Sequence, residues 1–166
     1  MSTNDFISKN LLTYLGNKRK LIPHIEQEIR LIKQTLQKET ISSFDGFMGS
    51  GVVSRMLKYH SHTLYANDLE LYSFIINSCF LSQPSQQMIE EINTSINQLN
   101  TMEYTHESII STHYSPQNTN NIHKHERVFY THENAMIIDS MRQTIASLPD
   151  LIQPYLLAPL LIKASI

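Results

Sequence analysis

Three of the chain's four glycines fall within Phe44-Asp45-Gly46-Phe47-Met48-Gly49-Ser50-Gly51. Glycine lets a backbone turn tightly and lets a ligand approach atoms that a side chain would shield. Asp45 precedes the turn, and Asn67-Asp68 places a second carboxylate 17 residues after Gly51. A doubly wound nucleotide-binding fold puts near that position the carboxylate that grips ribose hydroxyls. A strand that ends in such a turn and feeds a helix surrounds a ligand with free backbone N–H groups. A lone G-x-G says little, since an ordinary strand-to-helix turn would look the same.

The flanking pattern supplies the elements that must hold this turn. Ile22, Ile25, Ile29, Ile32 and Leu36 recur at helical spacing, with Glu26, Glu28, Arg30 and Lys33 between them. They predict a helix from about Leu21 to Lys38, with Pro23 tolerated in its first turn. Ile41 to Asp45 reads as a short buried strand, Val52 to Tyr59 as a helix, and His62 to Asn67 as a second strand. A helix over Leu69 to Leu81 and another carrying Met88, Ile92, Ile96 and Leu99 follow. Strands alternating with helices imply a parallel sheet with right-handed crossovers, hence an α/β fold. From about Asn100 to Lys124 the pattern fails, and the polar run from Ser115 to Asn121 reads as a mobile surface loop. Residues 100–131 are thus expected to be an irregular insertion. Order is expected to return at Arg127 to Thr131, before a helix with Ile138, Met141, Ile145 and Leu148 on one face. The stretch from Leu151 to Ile166 is apolar and stops without a polar cap, which points to a chain cut short inside a larger domain.

At 166 residues, 41% hydrophobic and 17% charged, the chain suits one globular domain rather than disorder. A formal charge of -2 gives no general attraction to polyanions, so any nucleic-acid surface must be local. One cysteine, Cys79, excludes an internal disulfide and fits a reducing cytoplasm. The N-terminus has no basic segment followed by an apolar one, so no secretory signal is visible. The apolar run near Leu156 to Ile162 is too short for a bilayer and is broken by Pro159. A soluble cytoplasmic protein without a membrane partner is expected.

Near the N-terminus stands Tyr14-Leu15-Gly16-Asn17-Lys18-Arg19-Lys20-Leu21-Ile22. With this segment, the glycine loop and Asp68, the chain resembles the Dam-like class of adenine-specific DNA methyltransferases. Members carry aromatic-x-Gly-x-Lys before apolar residues, then an acidic-x-Phe-x-Gly-x-Gly loop, then an Asp closing the second strand. The resemblance runs on through Glu133 to Ile145 and Tyr155 to Ile166. It implies a Rossmann-like S-adenosylmethionine-dependent methyltransferase fold, incomplete here, with residues 1–166 as a single cofactor-binding domain. By that resemblance Tyr14 contacts S-adenosylmethionine and Lys18 lies near its methionyl carboxylate. Asp45, Phe47, Gly49, Ser50 and Gly51 form the loop beneath it, and Asp68 accepts hydrogen bonds from its ribose hydroxyls. The plainer alternative makes Lys18, Arg19 and Lys20 a solvated helix start and Tyr14 a half-buried aromatic. Cations at a helix start oppose the helix dipole, however, which favours a functional reason.

The same resemblance exposes a gap. Methylating an adenine amine in a duplex requires the base to be rotated out and held against the donor. In this class an Asp-Pro-Pro-Tyr tetrapeptide does so, and the sequence has none. Gln153-Pro154-Tyr155 lacks the carboxylate, so no catalytic residue is assigned. The resemblance implies double-stranded DNA as the partner of the complete enzyme, and a restriction endonuclease as its counterpart in a restriction-modification system. The 166 residues are expected to be an N-terminal part, inactive alone. A non-catalytic nucleotide- or cofactor-binding module is the alternative. His106, His113, His123, His125 and His132 are dense, but without suitably spaced partners they define no metal site. Lys124, His125 and Arg127 beside Tyr130 suit phosphate contact and base stacking, as at the start of a target-recognition region. Cys79, among apolar neighbours, reads as a core residue.

Overall fold

Ile22, Ile25 and Ile29 need an apolar surface to face, and α1 (Ile22–Thr35) provides the side that carries them. The computed structural model describes residues 18–165, and in it a short 3-10 turn, Lys18–Leu21, leads into this helix. Pro23 lies in the first turn, where its missing N–H breaks no helical bond. On the solvent side Arg30 Nη2 donates to Glu26 Oε1 at 2.7 Å. The helix ends earlier than its periodicity predicts. Gln37 adopts φ +53, the left-handed conformation that commonly closes helices.

Two strands follow, β1 (Ile41–Asp45) and β2 (Ser61–Ala66), separated by α2 (Val52–His60). They pair in parallel, with Ser42 opposite Thr63 and Asp45 opposite Ala66. This is the small α/β unit that the alternation predicts, and α3 (Leu71–Leu81) closes it. Lys58 Nζ donates to Leu81 O at 2.7 Å, satisfying a carbonyl at the end of α3. The core consists of Ile22, Val52, Met56 and Leu57, with Ile25, Ile29, Val53 and Leu64 packed against it. β1 was expected to be buried, and here the structure differs. Phe44 is 70% exposed and Tyr65 64%, because helices cover only one face of the two-stranded ribbon.

The chain divides into two units, residues up to 83 together with 161 onward, and residues 84–160. In the second, α4 (Gln86–Thr101) starts at Ser85, whose side chain accepts from Met88 N. α6 (His132–Ala146) starts at Thr131, whose side chain accepts from Asn134 N. α7 (Gln153–Ala164) carries Pro159 inside it. Leu99, Ile145 and Leu156 form the centre of this unit, with Ile92, Met102, Met141, Leu148, Leu157 and Leu160 around them. Ile96, predicted on the buried face of α4, is exposed, and Ser95 takes that place. Its hydroxyl donates to Glu91 O at 2.9 Å, so no polar atom is stranded.

The stretch where periodicity fails contains a five-residue helix, α5 (Ile109–His113). Polar contacts organise it. The Asp139 carboxylate, 1% exposed, accepts from Ser108 N (3.1 Å), Ile110 N (3.2 Å), Ser111 N (2.7 Å) and Ser111 Oγ (2.7 Å). The run from Ser115 is also more tied down than a free loop. Ser115 and Pro116 are buried, and Glu126 accepts from Gln117 N and His123 N. Among the described residues no helix is long and apolar enough to cross a membrane.

Burial alone would raise the Asp139 carboxyl's pKa, but the hydrogen bonds from Ser111, Ile110 and Ser108 outweigh it and hold it below the usual range. A depressed folded-state pKa contributes stability that is present above the unfolded value and lost as pH falls through the folded one. The urea midpoint of this unit is therefore expected to drop as pH falls below about 4. Asp139→Ala, which strands the three N–H groups, is expected to cost about 3 kcal/mol at neutral pH and to flatten that acid slope. An unchanged slope in the variant would refute this account.

Candidate functional site

The turn between β1 and α2 is stitched to the end of β2 by backbone. Asn67 N donates to Asp45 O (2.8 Å) and Met48 N to Asn67 O (3.1 Å), extending the parallel ladder past both strands. Asp45 then folds its side chain back over the turn. Its Oδ1 accepts from Phe47 N at 3.3 Å and its Oδ2 from Ser54 Oγ at 2.6 Å. The carboxylate thus sits by the N-terminal turn of α2, where the helix dipole favours negative charge.

Gly49 and Gly51 have φ of +50 and +75, conformations that side chains rarely adopt. Their surroundings differ. Among the described residues, a Cβ at Gly49 would meet nothing within 4 Å. A Cβ at Gly51 would overlap the carboxamide of Asn77. Gly51 is also the N-cap of α2, with Arg55 N donating to its carbonyl at 2.8 Å.

Asp68 reaches this loop from the end of β2. Its Oδ2 accepts from Gly49 N at 2.7 Å, and its Oδ1 from Glu70 N at 3.0 Å. The N–H groups of Glu70 and Gly49, then that of Leu69 and the charge of Lys18, hold its carboxyl below the usual carboxylate range. Asp68 therefore stays an anion at neutral pH. Lys18 is exposed at the 3-10 turn. Phe47 is 85% exposed and Ser50 is nearly buried. The structure thus brings Asp45, Phe47, Gly49, Ser50, Gly51 and Asp68 together at the carboxyl ends of β1 and β2. Tyr14 lies outside the described residues.

Four residues that the sequence reading passed over complete the arrangement. Ser54 holds Asp45, as above. Ser73 Oγ donates to Gly49 O at 2.6 Å, and Asn77 Nδ2 donates to the same oxygen at 3.0 Å. Arg55, 1% exposed, donates through Nη1 to Ser50 O at 2.8 Å. Burial, with the charge of Arg19, pushes its pKa down to about 10, so it keeps its charge near neutrality. Ser73 and Asn77 could have been flagged by one signal: polar residues at i and i+4 on the mostly apolar α3.

Of the remaining sequence candidates, Cys79 lies on α3 and the others belong to the second unit. Cys79 is half-buried, and burial pushes its thiol up to about 11. In the second unit the rings of His123 and His125 stack with centroids 6.0 Å apart, and Arg127 lies 5.3 Å from the Tyr114 ring centroid.

Two parallel strands, a crossover helix and a glycine turn at the strands' carboxyl ends define an α/β unit with a small two-stranded sheet. A family profile described as D12 class N6 adenine-specific DNA methyltransferase matches residues 14–164, and the chain belongs to that family. It is similar to the Type II methyltransferase M.CviAII of Paramecium bursaria Chlorella virus 1, 29% identical over 160 residues, covering 93% of this chain and 45% of the relative. It is also similar to Modification methylase LlaI of Lactococcus lactis subsp. lactis, 31% identical over 144 residues, covering 82% of this chain and 21% of the relative. For Type II methyltransferase M.NlaIII of Neisseria lactamica the identity is 28% over 131 residues, covering 79% of this chain and 36% of the relative. The chain therefore spans less than half the length of each of these relatives. No solved structure matches.

Gly51→Ala should damage the loop twice, through its left-handed φ and through overlap with Asn77. A loss of roughly 2–4 kcal/mol in chemical denaturation is expected from those two effects together. Gly49→Ala faces open space and should cost only the backbone strain, about 1 kcal/mol or slightly more. Equal losses for the two variants would show that packing against Asn77 is unimportant.

Proposed function

We propose that the glycine loop and Asp68 form the S-adenosylmethionine site of an adenine-specific DNA methyltransferase with a Rossmann-like fold. The observation that carries this reading is the Gly49 N–H bonded to an ionised Asp68, with open space above Gly49. A carboxylate offers about four acceptor positions, and the backbone N–H groups of Gly49, Glu70 and Leu69 draw on those of Asp68. The remaining capacity would face the ribose hydroxyls. Lys18, whose charge reaches Asp68, would offset the cofactor's carboxylate, and Tyr14 would add an aromatic contact. Phe47, Gly49, Ser50 and Gly51 line the floor. Asp45 acts beneath it, holding the turn through Phe47 and Ser54. When bound, the cofactor supplies an electrophilic methyl group on sulfur.

The complete enzyme, in this reading, passes that methyl to the exocyclic amine of an adenine turned out of duplex DNA. Its setting would be a restriction-modification system with a cognate endonuclease, in keeping with relatives named as Type II methyltransferases and a modification methylase. Residues 18–83 hold the proposed donor site. Residues 100–131 would begin target recognition, where Arg127 over Tyr114 and the exposed Phe129 offer charge and a stacking surface. The 166 residues contain no Asp-Pro-Pro-Tyr, so they would hold the donor without the groups that hold the amine. That absence also favours a second reading, a nucleotide-binding module without catalysis.

Isothermal titration of the chain with S-adenosylmethionine, NAD and ATP separates the two. Saturable binding of the sulfonium compound alone is expected, weakened tenfold or more in Asp68→Ala, which removes hydrogen bonds to a charged acceptor. Selective binding of NAD or ATP would favour the module. Radiolabelled methyl transfer to DNA by the purified chain is expected to be absent, and turnover would overturn the assignment of donor site without chemistry.

A further inference from the structure

The α3 residues Ser73 and Asn77 have no part in the site as proposed, yet both are buried and both aim at one loop oxygen. Ser73 is 0% exposed and Asn77 2%. Ser73 Oγ and Asn77 Nδ2 converge on the Gly49 carbonyl at 2.6 and 3.0 Å. Asn77 Nδ2 also donates to Ser73 O at 2.9 Å, which locks the carboxamide to its own helix. Its plane lies so close to Gly51 that a Cβ could not be added there.

A trans peptide is planar, with its C=O and the following N–H pointing in opposite directions. Drawing the Gly49 oxygen onto α3 therefore turns the Ser50 N–H away from α3. Among the described residues, a Cβ at the neighbouring Gly49 would meet nothing within 4 Å. At the other end of Gly49 its N–H is held by Asp68, and beyond it Arg55 holds the Ser50 carbonyl at 2.8 Å. Flipping the Gly49–Ser50 peptide would break two hydrogen bonds inside the protein and leave two buried donors unsatisfied. Glycine has no side chain to oppose such a flip, so the constraint must come from elsewhere.

We infer that Ser73 and Asn77 are positioning residues that fix the Gly49–Ser50 peptide with its N–H toward the ligand, and thereby set the affinity of the loop. This rests on the donor-site reading above. The ligand side needs a donor already aimed, because an amide that must first reorient lowers apparent affinity by the fraction of chains correctly arranged. Asn77 then explains why position 51 must be glycine: the carboxamide occupies the volume of a side chain.

The test uses Ser73→Ala, the hydroxyl-retaining Ser73→Thr, and Leu57→Val, a core change away from the loop that lowers stability without touching Gly49. Amide exchange in the ligand-free chain reads the clamp, and titration with S-adenosylmethionine reads the site. Exchange at Gly49 and Gly51 is expected to quicken in Ser73→Ala beyond any change in Leu57→Val. The dissociation constant is expected to rise about tenfold in Ser73→Ala, the ratio that matches one hydrogen bond, and to recover in Ser73→Thr. Leu57→Val should bind as the parent does. Parent-like affinity in Ser73→Ala would overturn the inference and leave the donor site standing. If the parent chain binds nothing, the donor site fails. The clamp is then upheld by faster loop exchange in Ser73→Ala and refuted by unchanged exchange.

Discussion

The hydrogen bond from Gly49 N to Asp68 Oδ2, 2.7 Å long, joins the two strand ends on which everything else converges. It requires β1 and β2 to be parallel neighbours, since only then do both carboxyl ends lie on one side. The register of Asp45 opposite Ala66 leaves Asp68 two residues further on, level with the turn. The bond also needs an anion, and the backbone donors around Asp68 keep it one. A shift of β2 by one residue would reverse which face each of its side chains occupies and withdraw the carboxylate.

Directional bonds govern this unit more than apolar packing does. Its core is small, centred on Ile22, Val52, Met56 and Leu57, and hydrophobic contact cannot tell one peptide orientation from its flipped form. Buried Ser54, Arg55, Ser73 and Asn77 can, because each ends on a defined oxygen of the loop or of Asp45. Burying polar groups is unfavourable unless they are paired. Here the pairing partners are the groups that a tight turn leaves without intrahelical or ladder bonds. The turn's carbonyls and the donors beneath it thus satisfy one another, while the Asn77 Oδ1 is buried without a hydrogen-bond partner among the described residues.

The parts of this architecture that show in the sequence are those with a period. Ile22, Ile25 and Ile29 mark α1, and Ile41 to Asp45 was bounded correctly by the glycines that follow. Ser73 and Asn77 were hidden because α3 is apolar on most sides, so two small polar residues look like ordinary interruptions. Asp139 was hidden for a related reason. Its neighbours Ile138 and Met141 set an apolar pattern, while its partners at Ser108 to Ser111 lie about 30 residues away. Hydrogen bonds to backbone N–H impose no residue type on the donor, so the segment that Asp139 organises carries no trace of it. The exposure of Phe44 and Tyr65 was equally invisible, because a strand's composition does not reveal whether both of its faces are covered.

A donor site of the proposed kind needs only two adjacent strands, one to deliver the glycine turn and one to deliver the carboxylate. Both lie within residues 41–68, with α3 supplying the polar clamps. Holding an amine against the donor sets a different requirement: an acceptor for the amine and a surface for the base, placed across from the methyl group. Asp45 and Asp68 are tied to the turn through Phe47, Ser54, Gly49 and Glu70, so moving either carboxylate toward an amine would release the loop. In the proposed reading, the carboxylates that hold the donor loop are therefore distinct from the groups that would hold the amine.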